Sequence, residues 1–186
     1  MVVFDATMLS LLLRSGAKPP LDSATGKPVE YAEIRIAHLI EQFEKSRTIV
    51  ILPTPALTEI LIKAGGAGPT IVARIQKSSV LQVRSFDARA AIELAQMTNS
   101  VASAADKRAA IAAPWAKIKF DRQIVAIAKV NAATAIYSDD EKLIACAKLH
   151  DIACVQIADL PIPASARQMG FPLTPPDTEN GPKTET

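Results

Sequence analysis

Cysteine is nearly missing from the chain, and the two present, Cys146 and Cys154, have no histidine at metal-ligand spacing. That argues against a disulfide scaffold or a zinc module and leaves both as small buried hydrophobes. Aromatics make up only 4% of residues, so the core must be aliphatic, which suits a sheet covered by helices on both faces. Apolar runs of membrane-spanning length are absent, and Met1-Val2-Val3-Phe4-Asp5 lacks the basic-then-apolar layout of a signal peptide. A soluble, cytoplasmic protein with no membrane partner is expected. A dominant charge is also lacking. The formal net charge of +2 is too small to predict a nucleic-acid partner, so any such partner has to be argued from local arrangement. Histidine occurs only as His38 and His150, both on helical segments away from any motif, and neither is assigned a catalytic role.

What is there, 49% hydrophobic and 22% charged residues over 186 positions, fits one globular domain with an added tail. Short apolar or β-branched runs predict strands at Val2 to Phe4, Thr48 to Leu52, Val80 to Phe86, Thr134 to Tyr137 and Ala153 to Ile157. Between them, helical spacing predicts helices over Ala6 to Leu13, Glu30 to Lys45, Pro55 onward, Thr70 to Ser78, the Ala-rich stretch from Ala88, Phe120 to Asn131, and Glu141 to His150. Gly65, Gly66, Gly68 and Pro69 mark a break, and Arg14 to Val29, with two glycines and three prolines, reads as an excursion. The alternation of strand and helix predicts an α/β fold of parallel β-α-β units with about five strands. It occupies residues 1–170, and the proline-rich stretch 171–186 is expected to be a flexible tail.

Four acids stand out against this frame. Asp5 ends the first strand and Asp140 follows the fourth, so both lie where an open parallel sheet builds its ligand crevice. Glu59 sits on the helix leaving the second strand, and Asp121 opens a helix otherwise devoted to burial. Asp121 and Asp140 also suit ordinary helix N-caps, and Glu59 can pair with Lys63. Asp5, directly after a buried strand, is costly unless paired and favours a functional role. Carboxylates crowded together cannot all stay ionised without a cation. A hard divalent ion, Mg²⁺ or Mn²⁺, removes the conflict and brings metal-assisted phosphodiester chemistry with it.

The order of these residues resembles the PIN-domain ribonucleases, particularly the toxins of bacterial virulence-associated (VapBC-type) toxin–antitoxin pairs. The likeness spans about Val2 to Pro161 and rests on Val-Val-Phe-Asp5 with Thr7 two positions on, Thr-Pro-Ala-Leu-Thr-Glu59-Ile, Asp121-Arg-Gln-Ile-Val-Ala-Ile-Ala, and Ser138-Asp139-Asp140 with a later Asp-Leu-Pro. The resemblance implies a three-layer α/β/α domain, with Asp5, Glu59, Asp121 and Asp140 as catalytic metal ligands. Ser138 is implied as a catalytic residue orienting an acidic group, with Thr7 and Asp139 in an outer shell. It further implies Mg²⁺ (or Mn²⁺) as cofactor, single-stranded RNA as substrate, a homodimer, and a cognate antitoxin protein. The excursion from Arg14 to Val29, the long stretch before Asp121 and the tail depart from the compact toxin pattern.

Holding RNA also needs cations along the backbone path. Lys117, Lys119 and Arg122 bracket Asp121, and Lys142 follows Asp140; each is a candidate RNA contact or a solvated helix surface. Trp115, the lone tryptophan, suits base stacking or core packing. Two other readings compete. A haloacid-dehalogenase-like phosphatase would use Asp5 as nucleophile, and a PIN-like module could bind RNA or protein without cleaving.

Overall fold

The computed structural model describes residues 1–14, 16–100, 115–164 and 166, with the backbone alone at 100 and 115–119. Strands β1 (Val2–Phe4), β2 (Val50–Pro53), β3 (Leu81–Arg84), β4 (Ala135–Tyr137) and β5 (Ala153–Val155) form one five-stranded sheet in the order β3-β2-β1-β4-β5. Every pairing is parallel. Successive strand residues point to opposite faces, so the unbroken burial of Val2, Val3 and Phe4 in β1, and of all four residues in β2, requires cover on both faces. The edge strands β3 and β5 are only partly buried.

The cover comes from α1 (Ala6–Leu13), α2 (Ala32–Ser46), α3 (Thr54–Ala64), α4 (Gly68–Lys77), α5 (Ala88–Ser100), α6 (Trp115–Val130) and α7 (Glu141–Lys148). The expected α/β architecture is therefore present. The core is mainly aliphatic, and three aromatics, Phe4, Phe43 and Tyr137, pack together with ring centroids 5.3–6.4 Å apart. Cys146 and Cys154 are free, half-buried thiols. No helix among the described residues is long and apolar enough to cross a membrane.

Most boundaries shift by one or two residues from the sequence expectation, and three differences have a clear local cause. The expected break at the Gly65 cluster is a single 3-10 turn, Gly65–Ala67, and α4 begins at once with Pro69 in its first turn, where a missing N–H costs nothing. Gly65 ends α3 at φ 51°, ψ −121°, a conformation open to glycine. Strand β5 stops at Val155 because Gln156 and Asp159 cap each other's backbone around the 3-10 turn Ile157–Asp159. Helix α6 begins at Trp115 rather than Phe120, since Trp115 to Phe120 contains neither glycine nor proline and the helix propagates back through it. The expected tail, 171–186, lies outside the described residues, as does 101–114.

The excursion after α1 is organised. Leu21 and Pro28 form an antiparallel bridge around a turn in which Asp22 Oδ1 accepts the Ala24 N–H at 2.7 Å. Long-range ties then close the fold. Arg35 on α2 donates to the carbonyls of Glu30, Ala158 and Leu160, fastening the segment after β5 to α2. Arg74 on α4 donates to the Leu12 and Leu13 carbonyls at the end of α1.

Burial decides which apolar residues carry stability. Ile127 on α6 is 0% exposed and Ile92 on α5 is 61% exposed. Ile127→Ala is expected to cost about 2–5 kcal/mol in urea unfolding, and Ile92→Ala to stay within about 0.5 kcal/mol; equal losses would contradict this core.

Candidate active site

The chain runs from β1 outward to β2 and β3, then crosses back to place β4 on the other side of β1. The reversal makes the carboxyl ends of β1 and β4 a topological switch point, where diverging connections leave a crevice. Asp5 follows β1 and Ser138 follows β4, and the Asp5 N–H donates to the Tyr137 carbonyl at 3.2 Å. A cleft of about 550 Å³ opens here, lined among others by Asp5, Thr7, Glu59, Asp121 and Asp140.

Asp5 is 3% exposed. It caps α1, with Oδ1 accepting the Met8 N–H at 2.9 Å, while Oδ2 accepts the Ser138 hydroxyl at 2.5 Å. Ser138 is fully buried and its Oγ in turn accepts the Asp140 N–H at 3.0 Å. Asp140 caps α7 through the Lys142 and Leu143 N–H groups. One hydrogen-bonded chain thus joins two helix starts across the β1–β4 pair. Burial pushes the Asp5 carboxyl up to about 7 from its usual 3.8; the Ser138 and Met8 hydrogen bonds oppose the rise and the nearby Asp139 charge adds to it.

The other acids arrive on helices. In α3, Pro55, Thr58, Glu59 and Ile62 recur at i, i+3, i+4 and i+7, so one helical face lines the cleft. In α6, Phe120, Asp121 and Ile124 line it from positions i, i+1 and i+4, and α3 packs against α6.

The four acids differ from what their sequence positions suggest. Asp5 does have a structural task, as the cap of α1. Asp121 does not cap, because it is the seventh residue of α6, beyond the turn with spare N–H groups. Aspartate within a helix lowers helix stability, so its place on the cleft is the better account of it. Glu59 is exposed and pairs with Lys63 at 2.6 Å, their side chains 54% and 49% exposed. A pair that open adds little stability and leaves the carboxylate able to swing.

The lining fits a hard cation in chemistry. Its charged groups are carboxylates, Thr7 and Thr58 also line it, the Thr58 hydroxyl donating back to the Thr54 carbonyl at 2.8 Å, and neither histidine nor cysteine lines it. Asp5, Glu59, Asp121 and Asp140 are the groups that would hold such an ion. Among the described residues, no three acidic, histidine or cysteine side chains already stand together as a ready metal cage, so binding needs side-chain rotation, for which exposed Glu59 has room.

Other candidates fall elsewhere. Asp139 turns away from the cleft: Oδ1 accepts the Ile157 N–H at 3.2 Å, and Oδ2 is buried without a hydrogen-bond partner. Burial pushes its carboxyl up to about 6, with the Asp159 charge adding to the rise. Arg122 does not line the cleft, and its charge acts on Cys146 and His150 instead. Lys142 is exposed outside the lining. The side chains of Trp115, Lys117 and Lys119 lie outside the described residues. Sequence reading passed over Ile62 and Phe120. The signal for Ile62 was its spacing of three from Glu59; for Phe120, it was adjacency to Asp121.

The five-stranded parallel sheet in this order, covered by helices on both faces and carrying an acid-lined cleft at the switch point, is an α/β fold similar to that of PIN domains. The same fold is found in a crystal structure of VapBC2 from Rickettsia felis bound to a DNA fragment from its promoter, with a TM-score of 0.56 at 9% identity, covering 84% of this chain and 98% of that one. Mycobacterium tuberculosis VapC20, a toxin that cleaves the sarcin–ricin loop, aligns with a TM-score of 0.46 at 15% identity, over 78% of this chain and 94% of that one. No protein-family model and no curated protein sequence matches the chain. The likeness is one of fold.

The unfolded chain ionises Asp5 near 3.8, while the native protein holds that proton to about 7. The stability this difference contributes is fully present below about 4 and is lost as pH rises through 7. Asp139 acts in the same direction up to about 6. In chelator-treated protein, Asp5→Asn is therefore expected to flatten the fall in unfolding free energy between pH 4 and pH 8, measured by urea titration. An unchanged slope would contradict the desolvated Asp5.

Proposed function

We propose that the protein is a Mg²⁺- or Mn²⁺-dependent endoribonuclease that cleaves phosphodiester bonds of single-stranded RNA, acting as the toxin of a type II toxin–antitoxin system. The observation that carries this reading is that Asp5, Glu59, Asp121 and Asp140, from four separate segments, all line one cleft at the switch point of the sheet. A capping role accounts for two of them and not for Asp121 or Glu59. The fold shared with a chain of the VapBC2 complex supports a cognate antitoxin, and a homodimer is part of the same proposal.

In this reading the four carboxylates hold the ion. When bound, the ion supplies Lewis-acid activation of water and of the phosphoryl group and offsets the charge that builds during in-line attack. Ser138 is a positioning residue: its O–H donates to Asp5 Oδ2 and its oxygen accepts the Asp140 N–H, so one buried hydroxyl fixes two acids relative to each other. Asp5 is desolvated, which strengthens its attraction for a cation. Thr7 lines the same cleft from α1. Asp139 supports the loop from behind through the Ile157 N–H. A haloacid-dehalogenase-like mechanism lacks this support, because it leaves Glu59 and Asp121 idle on the cleft and finds Thr7 where its second acid belongs.

The test is cleavage of a labelled single-stranded RNA with Mg²⁺ or Mn²⁺ and with chelator. Wild type is expected to cleave only with metal. Asp5→Asn and Asp121→Asn should each lose at least about 100-fold, and Ser138→Ala roughly 10–100-fold, the range of a supporting residue. Equal activity in wild type, Asp5→Asn and Asp121→Asn would refute the assignment.

A further inference from the structure

The cleft has a second character besides its acids. At its rim stand two large apolar side chains that the fold leaves in solvent: Ile62 on α3 is 76% exposed and Phe120 on α6 is 49% exposed. Both line the same cleft as the carboxylates. Beneath them the apolar lining continues through the buried residues Ala56, Ile124 and Leu143. Exposing an aromatic ring and an isoleucine costs stability, since each would gain by burial.

We propose that Phe120 and Ile62 form a nucleobase grip, with the Phe120 ring stacking on one unpaired base of the RNA beside the scissile phosphate. The inference rests on the nuclease reading of the acids and extends it to substrate selection. Three observations favour a base as occupant. Phe120 and Asp121 both line the cleft from one helix, so the ring borders the space that the acid faces. Ile62 stands on the same face of α3 as Glu59, so each lip residue is tied to one acid. A strand whose phosphate is held at the acids carries a base to each side of that phosphate, and an aromatic face accepts any base by stacking. A base within a duplex has both faces covered by its neighbours, so the grip selects single strands.

The experiment uses the full-length protein and a single-stranded oligoribonucleotide set in which an abasic site replaces each base around the cleavage position in turn. For wild type, one abasic position is expected to raise KM by roughly 5- to 100-fold, the range of one stacked base. Phe120→Ala should raise KM for intact RNA by a similar factor with kcat changed far less, and should become insensitive to that abasic position. Phe120→Trp should restore both KM and the sensitivity, whereas Phe120→Leu, which keeps an apolar lip without a ring, should not.

Circular dichroism and melting confirm folding of each variant, which is expected because the ring is half exposed. If Phe120→Ala keeps the wild-type KM, or Phe120→Leu matches wild type, stacking is overturned while metal-dependent cleavage stands. If wild type cleaves nothing, the nuclease reading fails. Stacking is then judged on quenching of a 2-aminopurine oligoribonucleotide, and absence of quenching relative to Phe120→Ala overturns it separately.

Discussion

The hydrogen bond from Ser138 to Asp5 is the contact on which the rest of the site depends. It joins the ends of the two strands that flank the switch point, and each partner also organises a helix start, Asp5 for α1 and, through its acceptance of the Asp140 N–H, Ser138 for α7. The bond is buried, in surroundings where a carboxylate is costly. The donors it receives from Ser138 and Met8 do not cancel that cost, since the Asp5 carboxyl remains well above its ordinary range. A fold that keeps a destabilised acid at the mouth of its central strand sacrifices stability there, as functional sites commonly do.

Much of the frame was legible in the sequence because it depends on short-range pattern. The apolar run before Asp5 gave β1 and α1 with the boundaries observed, and the alternation of element types gave the parallel sheet. The strand order was not legible, since it is decided by which helices cover which face. Placement of the acids near one crevice followed from strand ends for Asp5 and Asp140. It was less direct for Glu59 and Asp121, whose position depends on how α3 and α6 pack together.

Where the reading went astray, local chemistry gave ambiguous signals. Asp121 looked like a helix opener because aspartate favours that place, yet the six residues before it are themselves helical. Asp5 looked structurally unexplained because its place after a buried strand hid its place before a helix, where it accepts the Met8 backbone N–H, and because its second partner, Ser138, is 133 positions away. Glu59 looked conspicuous among Leu57, Ile60 and Ile62, but helical phase puts Ile60 inside and Glu59 outside. The same phase brings exposed Ile62 beside it. An exposed acid beside an exposed apolar side chain is thus a product of helix geometry acting on a short run of residues.

We propose that Asp5, Glu59, Asp121 and Asp140 bind divalent metal in the cleft. Crystals grown with Mn²⁺ and measured for anomalous scattering test it most directly. The account predicts a peak in the cleft within coordination distance of Asp5 and at least one of Glu59, Asp121 and Asp140, lost in Asp121→Asn. Manganese peaks elsewhere on the molecule, with none in the cleft, would contradict it.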